Sequence, residues 1–282
     1  PLIQQIVNPD VTYPFGYSVQ PRTVTVDENP SAHGLHTYDF GVPSFGGVEY
    51  GNGNIWVGIN YNLDFDTEAE TNAGVTDISF AGLAKVNPTT LAVTRISIAG
   101  ASDIRDIRVD QADSNILWVT DKTQNKIFKF NLTTELVTET ITLAGGSNPN
   151  SVDSDATFLY VALSKPAGGN SEILKIDKSN TAIQTTIDTT APNTAGGTFT
   201  VFVDGTTLYW TDQSSHVGSV NLSTSAKTVS NTSDTDSNHF GCKVGANFWF
   251  AGQGSAVVGI FDGAGADSGK GGCNGDCTPP TL

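Results

Sequence analysis

Apolar residues along this chain come in short runs separated by Gly, Asn, Asp, Ser and Thr, and no stretch sustains a helical apolar period. The pattern therefore predicts strands. Five of the runs are built on an aromatic and aliphatic triplet: Ile55-Trp56-Val57, Leu117-Trp118-Val119, Leu159-Tyr160-Val161, Leu208-Tyr209-Trp210 and Phe248-Trp249-Phe250. Their central positions lie 62, 42, 49 and 40 residues apart. A recurrence of about 40–50 residues is that of one supersecondary unit repeated along a chain.

One copy shows the whole unit. Residues 104–109 alternate and are expected to form the innermost strand, followed by a turn at Asp113-Ser114-Asn115. Residues 116–120 are apolar on both faces, as befits a strand between neighbouring sheets. Residues 126–131 (KIFKFN) alternate, and 137–143 (VTETITL) place Thr and Glu outward, as an edge strand does to discourage aggregation. The same pattern recurs over 47–99, 150–190, 198–229 and 239–262, the last copy without a clear fourth strand. Upstream, residues 11–17, 23–26 and 35–40 read as second, third and fourth strands of an earlier copy. Residues 1–7 (PLIQQIV) are then spare, and are expected to close the ring as the outer strand of the last sheet. The fold class is thus expected to be all-β: one β-propeller over residues 1–265, with six blades. Five is the count if the residues before His33 are an arm. A Gly/Cys/Pro-rich tail or connector, 266–282, runs outside the ring. A β-sandwich would supply short strands but no recurrent triplet.

Charge narrows the partners. Against 29 Asp and Glu stand 14 Lys and Arg, a net charge of −15, with no basic cluster. Such a surface repels phosphate backbones, so nucleic acid is excluded as a partner. Cations or a basic protein surface suit the field, and the acidity also serves solubility alone. No apolar run approaches the roughly 20 residues a membrane-spanning helix needs, which speaks against membrane insertion. The chain contains no Met and residues 1–7 lack the features of a signal peptide, so it reads as a processed product or a fragment.

Residues 107–131, IRVDQADSNILWVTDKTQNKIFKFN, resemble a blade of the NHL and streptogramin-lyase-like propellers, and residues 152–176 and 201–220 resemble it more loosely. The resemblance implies the architecture. That group contains lyases and lactonases as well as binding and assembly modules, so fold does not decide activity. In the lyases, His and Glu near the channel end support metal-assisted elimination. Here His216 and His239 have no Glu close by, and no Glu follows Glu172.

Several residues are candidates for chemistry. Asp64, Asp66, Glu68 and Glu70 alternate within the inserted segment 62–77, which accounts for the longest spacing. In an extended loop they present four hard oxygen ligands on one side, suited to Ca²⁺, and they equally suit a solvated loop. Residues 63–72 are expected to be exposed. Asp234 and Asp236 form a second acidic knot before His239, near the expected channel mouth, where turn chemistry also explains them. Asp153 and Asp155 read as turn residues. His33 and His36 would point to opposite faces of a strand and read as surface histidines. Trp56, Trp118 and Trp249 hold one repeat position and read as core rather than a sugar-stacking set. Cys242, Cys273 and Cys277 are disulfide candidates that would pin the tail, too few for zinc, with one thiol left over. Asn131, Asn221 and Asn231 begin N-x-[ST] sequons.

Two functions fit. One is a non-enzymatic propeller at an extracellular, cell or virion surface. It would bind a protein or glycan, or assemble with copies of itself into a larger structure. The other is a metal-dependent lyase or lactonase with its site at the central channel.

Overall fold

The computed structural model describes residues 44–63, 78–164, 172–189, 197–213, 216–231, 238–244, 247–252, 257–261 and 271–272. Among them the chain forms five four-stranded antiparallel sheets in sequence order, each running from a first, innermost strand outward. Sheet 1 comprises β1 (Ser44–Gly51), β2 (Asn54–Leu63), β3 (Ile78–Val86) and β4 (Val93–Ser97). Sheet 2 comprises β5 (Ile104–Val109), β6 (Ile116–Asp121), β7 (Lys126–Asn131) and β8 (Leu136–Thr142). Sheet 3 comprises β9 (Pro149–Ser154), β10 (Phe158–Leu163), β11 (Glu172–Asp177) and β12 (Gln184–Asp188). Sheet 4 comprises β13 (Thr198–Asp204), β14 (Thr207–Asp212), β15 (His216–Asn221) and β16 (Lys227–Asn231). Sheet 5 comprises β17 (Asn238–Val244), β18 (Asn247–Gly252), β19 (Val257–Phe261) and β20 (Gly271–Gly272). First strands of consecutive sheets are neighbours from β1 to β5, β9, β13 and β17, which is a propeller-like architecture.

Each triplet lies on the second strand, and in sheets 2 to 4 both faces of that strand are covered. All six residues of β6 are buried, and Trp56, Trp118 and Trp210 are 1% exposed or less. Apolar clusters join consecutive sheets pairwise: Trp56 and Leu83 meet Ile107 and Phe128, and Trp118 and Ile127 meet Val152 and Leu159. Tyr160 and Ile173 meet Val201 and Trp210, and Tyr209 stacks on Phe248 at 5.4 Å. A fifth cluster, with Val57, Ile59 and Ala84, holds described residues of sheet 1 alone.

Turn chemistry repeats as well. At the β3–β4, β7–β8 and β15–β16 connections an Asn side-chain oxygen accepts two backbone N–H groups. Asn87 takes those of Thr89 and Thr90, Asn131 those of Thr133 and Thr134, and Asn221 those of Ser223 and Thr224. Each turn then places one residue in the left-handed region, Leu91, Glu135 or Ser225, with φ of 60°, 58° and 60°. The sequons at Asn131 and Asn221 are therefore accounted for by a turn signature.

Two expectations need correction. The first repeat is long partly because its central hairpin is long: β2 runs through Leu63 and β3 starts at Ile78, so Asn62 and Leu63 are strand, not loop. In the last sheet the outer position is occupied, over two residues, by Gly271–Gly272 paired with Val257 and Val258. The segment expected to run outside the ring thus supplies that strand. Residues 1–7, expected there, lie outside the described residues.

Candidate functional site

Pairing across each first hairpin gives one equivalent position per sheet: Glu49 opposite Trp56, Arg108 opposite Trp118, Asp153 opposite Tyr160, Phe202 opposite Tyr209 and Cys242 opposite Trp249. Three consecutive sheets thereby contribute acid, base and acid to one layer of the innermost strands. Arg108 Nη1 donates to Glu49 Oε1 at 2.7 Å, and Asp153 also acts on the guanidinium electrostatically. Asp153 in turn accepts the backbone N–H of Val203, in sheet 4, at 2.7 Å and that of Ser154 at 2.8 Å. This layer links four sheets.

A second layer lies two residues earlier. Asp106 Oδ2 accepts the Ser151 hydroxyl at 2.6 Å and the Val152 N–H at 3.1 Å, both from sheet 3. Ser151 Oγ accepts the N–H of Val201, from sheet 4, at 3.3 Å. Between sheets 1 and 2, Asn60 performs the same task in both directions: its oxygen accepts Ile104 N–H at 2.7 Å and its amide donates to Ile104 O at 2.6 Å. Gln111 reaches further still, donating from sheet 2 to Val203 O of sheet 4 at 3.1 Å.

Burial dominates the electrostatics of this cluster. It raises the Asp153 carboxyl to about 6 against the pull of Arg108 and the Val203 N–H. It raises Asp106 and Glu49 as well, again opposed by Arg108. Burial works against the charge of Arg108, but the three carboxylates overcome it and hold the guanidinium more firmly protonated than usual. Arg108 Nε is buried without a hydrogen-bond partner, so the guanidinium is not fully saturated. The chemistry available is a carboxyl on Asp153 that exchanges its proton at about pH 6, and strong cross-sheet bonding by the rest.

Two second strands, β6 and β14, end in an Asp, and both carboxylates bond the connection that follows. Asp121, fully buried, accepts Ser102, Asp103 and Gln124 N–H groups, tying together two connections. Asp212 accepts His216 N–H at 2.9 Å and faces its Nδ1 at 3.0 Å, which raises the His216 pKa. His216 therefore opens β15 in an ion pair rather than lying between strands. At the opposite end of sheet 2, Trp118 Nε1 and Lys178 Nζ converge on Asp110 Oδ2 at 2.7 and 2.8 Å. Burial pushes the Asp110 carboxyl up, but the Lys178 and Trp118 bonds outweigh it and hold it below its ordinary value.

Asp64, Asp66, Glu68, Glu70, Asp234 and Asp236 lie outside the described residues, as do Cys273, Cys277, His33 and His36. Cys242 and His239 are on β17, where the backbone alone is described. In the chain, 64–77 joins β2 to β3 and 232–237 joins β16 to β17. Asp155 is a turn residue, accepting Thr157 and Phe158 N–H. Asp153 is not: it is a buried strand residue. Among the described residues no group of three or more His, Cys, Asp or Glu is placed to hold a metal. Sequence reading missed Glu49, Asp106 and Arg108 entirely. For Glu49 and Arg108 the signal was their common register against the triplets, with Asp106 two residues earlier, hidden because the β1–β2 turn is two residues and the β5–β6 connection six.

The chain matches no protein-family model and no curated protein. Among solved structures it is similar to a chain of the nidogen/laminin complex, with a TM-score of 0.59 and 15% identity, covering 79% of this chain and 77% of that one. A computationally designed protein, Ika8, aligns with a TM-score of 0.49 and 6% identity over 78% of this chain and 58% of its own. The first likeness supports the propeller-like architecture.

Proposed function

We propose that this chain is a non-enzymatic binding module, a six-bladed propeller at an extracellular or other exposed surface that docks a protein partner. The observation carrying this reading is the commitment of the innermost polar layer. Asp106 and Asp153 take backbone N–H groups of the next sheet, and Glu49 takes Arg108. Groups spent on holding sheets together leave recognition to the connections, where scaffolded folds carry it. Three of the four longest connections start where second or fourth strands end: β2 to β3 spans residues 64–77, β10 to β11 spans 164–171 and β12 to β13 spans 189–197, while β19 to β20, spanning 262–270, starts where a third strand ends. The fold also fits this use, since the similar solved chain comes from a nidogen/laminin complex. The acidic segments 64–77 and 232–237 favour a basic partner surface, and their carboxylates at Asp64, Asp66, Glu68 and Glu70 or at Asp234 and Asp236 suit Ca²⁺. Glycan binding and self-assembly are the other uses of the same connections, and the three cysteines would fasten the tail by a disulfide.

The test replaces residues 64–77 by a two-residue Asn-Gly turn and assays retention on a basic protein surface alongside metal content. The variant should keep the parent's unfolding temperature and lose retention. A metal bound one to one and lost on Asp153→Asn, with retention unchanged in the loop variant, would overturn the reading in favour of a metal-dependent enzyme at the channel.

A further inference from the structure

We propose that the outward face of sheet 1 is the seat of residues 1–43, which pack on it as a sixth four-stranded sheet whose first strand is residues 1–7. This rests on the six-bladed reading above and names the surface and strand order that reading requires.

The face itself comes first. Every other apolar cluster joins two consecutive sheets, whereas the one containing Ile55, Val57, Phe80 and Val93 holds described residues of sheet 1 alone. On the same face β1 presents Val48 and Tyr50, paired across from Val57 and Ile55, and these are 60% and 66% exposed. The opposite face of the same strand carries Glu49, engaged with sheet 2. A β-strand with large apolar side chains on one side and a neighbouring sheet on the other is an interior strand lacking one neighbour. Sheet 5 supplies no described residue to that cluster.

Chain length identifies the occupant. From the start of one sheet to the next the chain uses 60 residues between Ser44 and Ile104, where the β2–β3 connection is long, then 45 to Pro149, 49 to Thr198 and 40 to Asn238. The chain before β1 is 43 residues long and ends directly at that strand. It is one sheet's worth, delivered to the right edge. Its apolar segments at 1–7, 11–17, 23–26 and 35–40 number four. The two-residue strand Gly271–Gly272 fills the outer position of sheet 5, so residues 1–7 are released from that place. They then stand first in the order inner, second, third, outer, which all five described sheets follow.

The test places a charge on the face. Val48→Asp is made in the full chain and in a chain starting at residue 42, with Leu91→Asp, an exposed turn position, as control. In the full chain Val48→Asp should lower the unfolding temperature by about 5 °C or more, while Leu91→Asp leaves it nearly unchanged. Amide exchange of the full chain should show residues 1–43 protected, and Val48→Asp should reduce that protection selectively. In the shorter chain Val48→Asp should be neutral; if that chain does not fold, the exchange measurement decides alone. Residues 1–43 exchanging at free-chain rates would overturn the proposal, as would a full-chain dimer that Val48→Asp converts to monomer, which would assign the face to a second copy. Neither readout involves a partner, so failure here is distinct from failure of the binding reading.

Discussion

Asp153 stands where a carboxylate is costly, and its ionisation should show in stability. Its folded-state value of about 6 lies above the ordinary 3.8, so between those limits the folded protein holds a proton the unfolded chain has released. That contribution is fully present below pH 3.8 and is lost as pH rises through 6, on the order of 3 kcal/mol at most. Urea unfolding of Asp153→Asn should therefore give a flatter stability profile between pH 4 and 6, with the Val203 N–H still accepted by the amide oxygen. An unchanged slope would assign the titration to Asp106 or Glu49. Arg108→Met should cost about 3–5 kcal/mol at pH 8, because it strands buried carboxylates, and less at pH 5 as they take up protons. His216 has the same sign for a different reason: Asp212 raises its value, so that pair stabilises below the ordinary histidine pKa and fades as pH rises through the raised one. The turn residues offer an independent check. Asn221→Ala removes the one oxygen that accepts two N–H groups and should cost about 1 kcal/mol, while Leu91→Gly relieves a left-handed leucine and should gain about 0.5 kcal/mol.

At the scale of elements, the second strand is where packing and polarity meet. Trp118 fills the sheet 2–sheet 3 cluster and donates to Asp110, which also receives Lys178. Trp118→Ala should cost about 3–5 kcal/mol in equilibrium unfolding, and Trp118→Phe a smaller part, isolating the lost donor. Equal costs would mean that the hydrogen bond, not the ring volume, dominates. Sequence made these strands legible because an all-buried second strand cannot alternate. The expected strands 104–109 and 126–131 coincide with β5 and β7, and the outer strand 137–143 with β8 to within a residue. The polar layers were not legible. Asp106 and Asp153 look like turn or edge residues until first strands are set side by side, since their partners lie 46 and 50 residues away. The N-x-[ST] pattern at Asn131 coincides with what this turn uses, an Asn oxygen that accepts the two N–H groups that follow.

For the molecule as a whole, the side-chain-to-backbone bonds from one first strand to the next share one direction. Asp106 of sheet 2 waits for Val152 of sheet 3, Asp153 of sheet 3 for Val203 of sheet 4, and Ser151 for Val201. In each case the earlier sheet offers the side chain and the later sheet brings the backbone. During synthesis from the N-terminus, a completed sheet therefore emerges with its carboxylates in water and ionised. They are buried when the next first strand arrives, some 40–50 residues later, carrying the N–H groups that receive them. Stalling between sheets leaves solvated charge at the growing edge, which repels other nascent chains. Interrupting the chain from the other end leaves bare backbone N–H groups on a first strand, an invitation to strand pairing. Fragments lacking C-terminal sheets should accordingly stay dispersed, and fragments lacking N-terminal sheets should aggregate. Light scattering of the two series at matched length would read the difference.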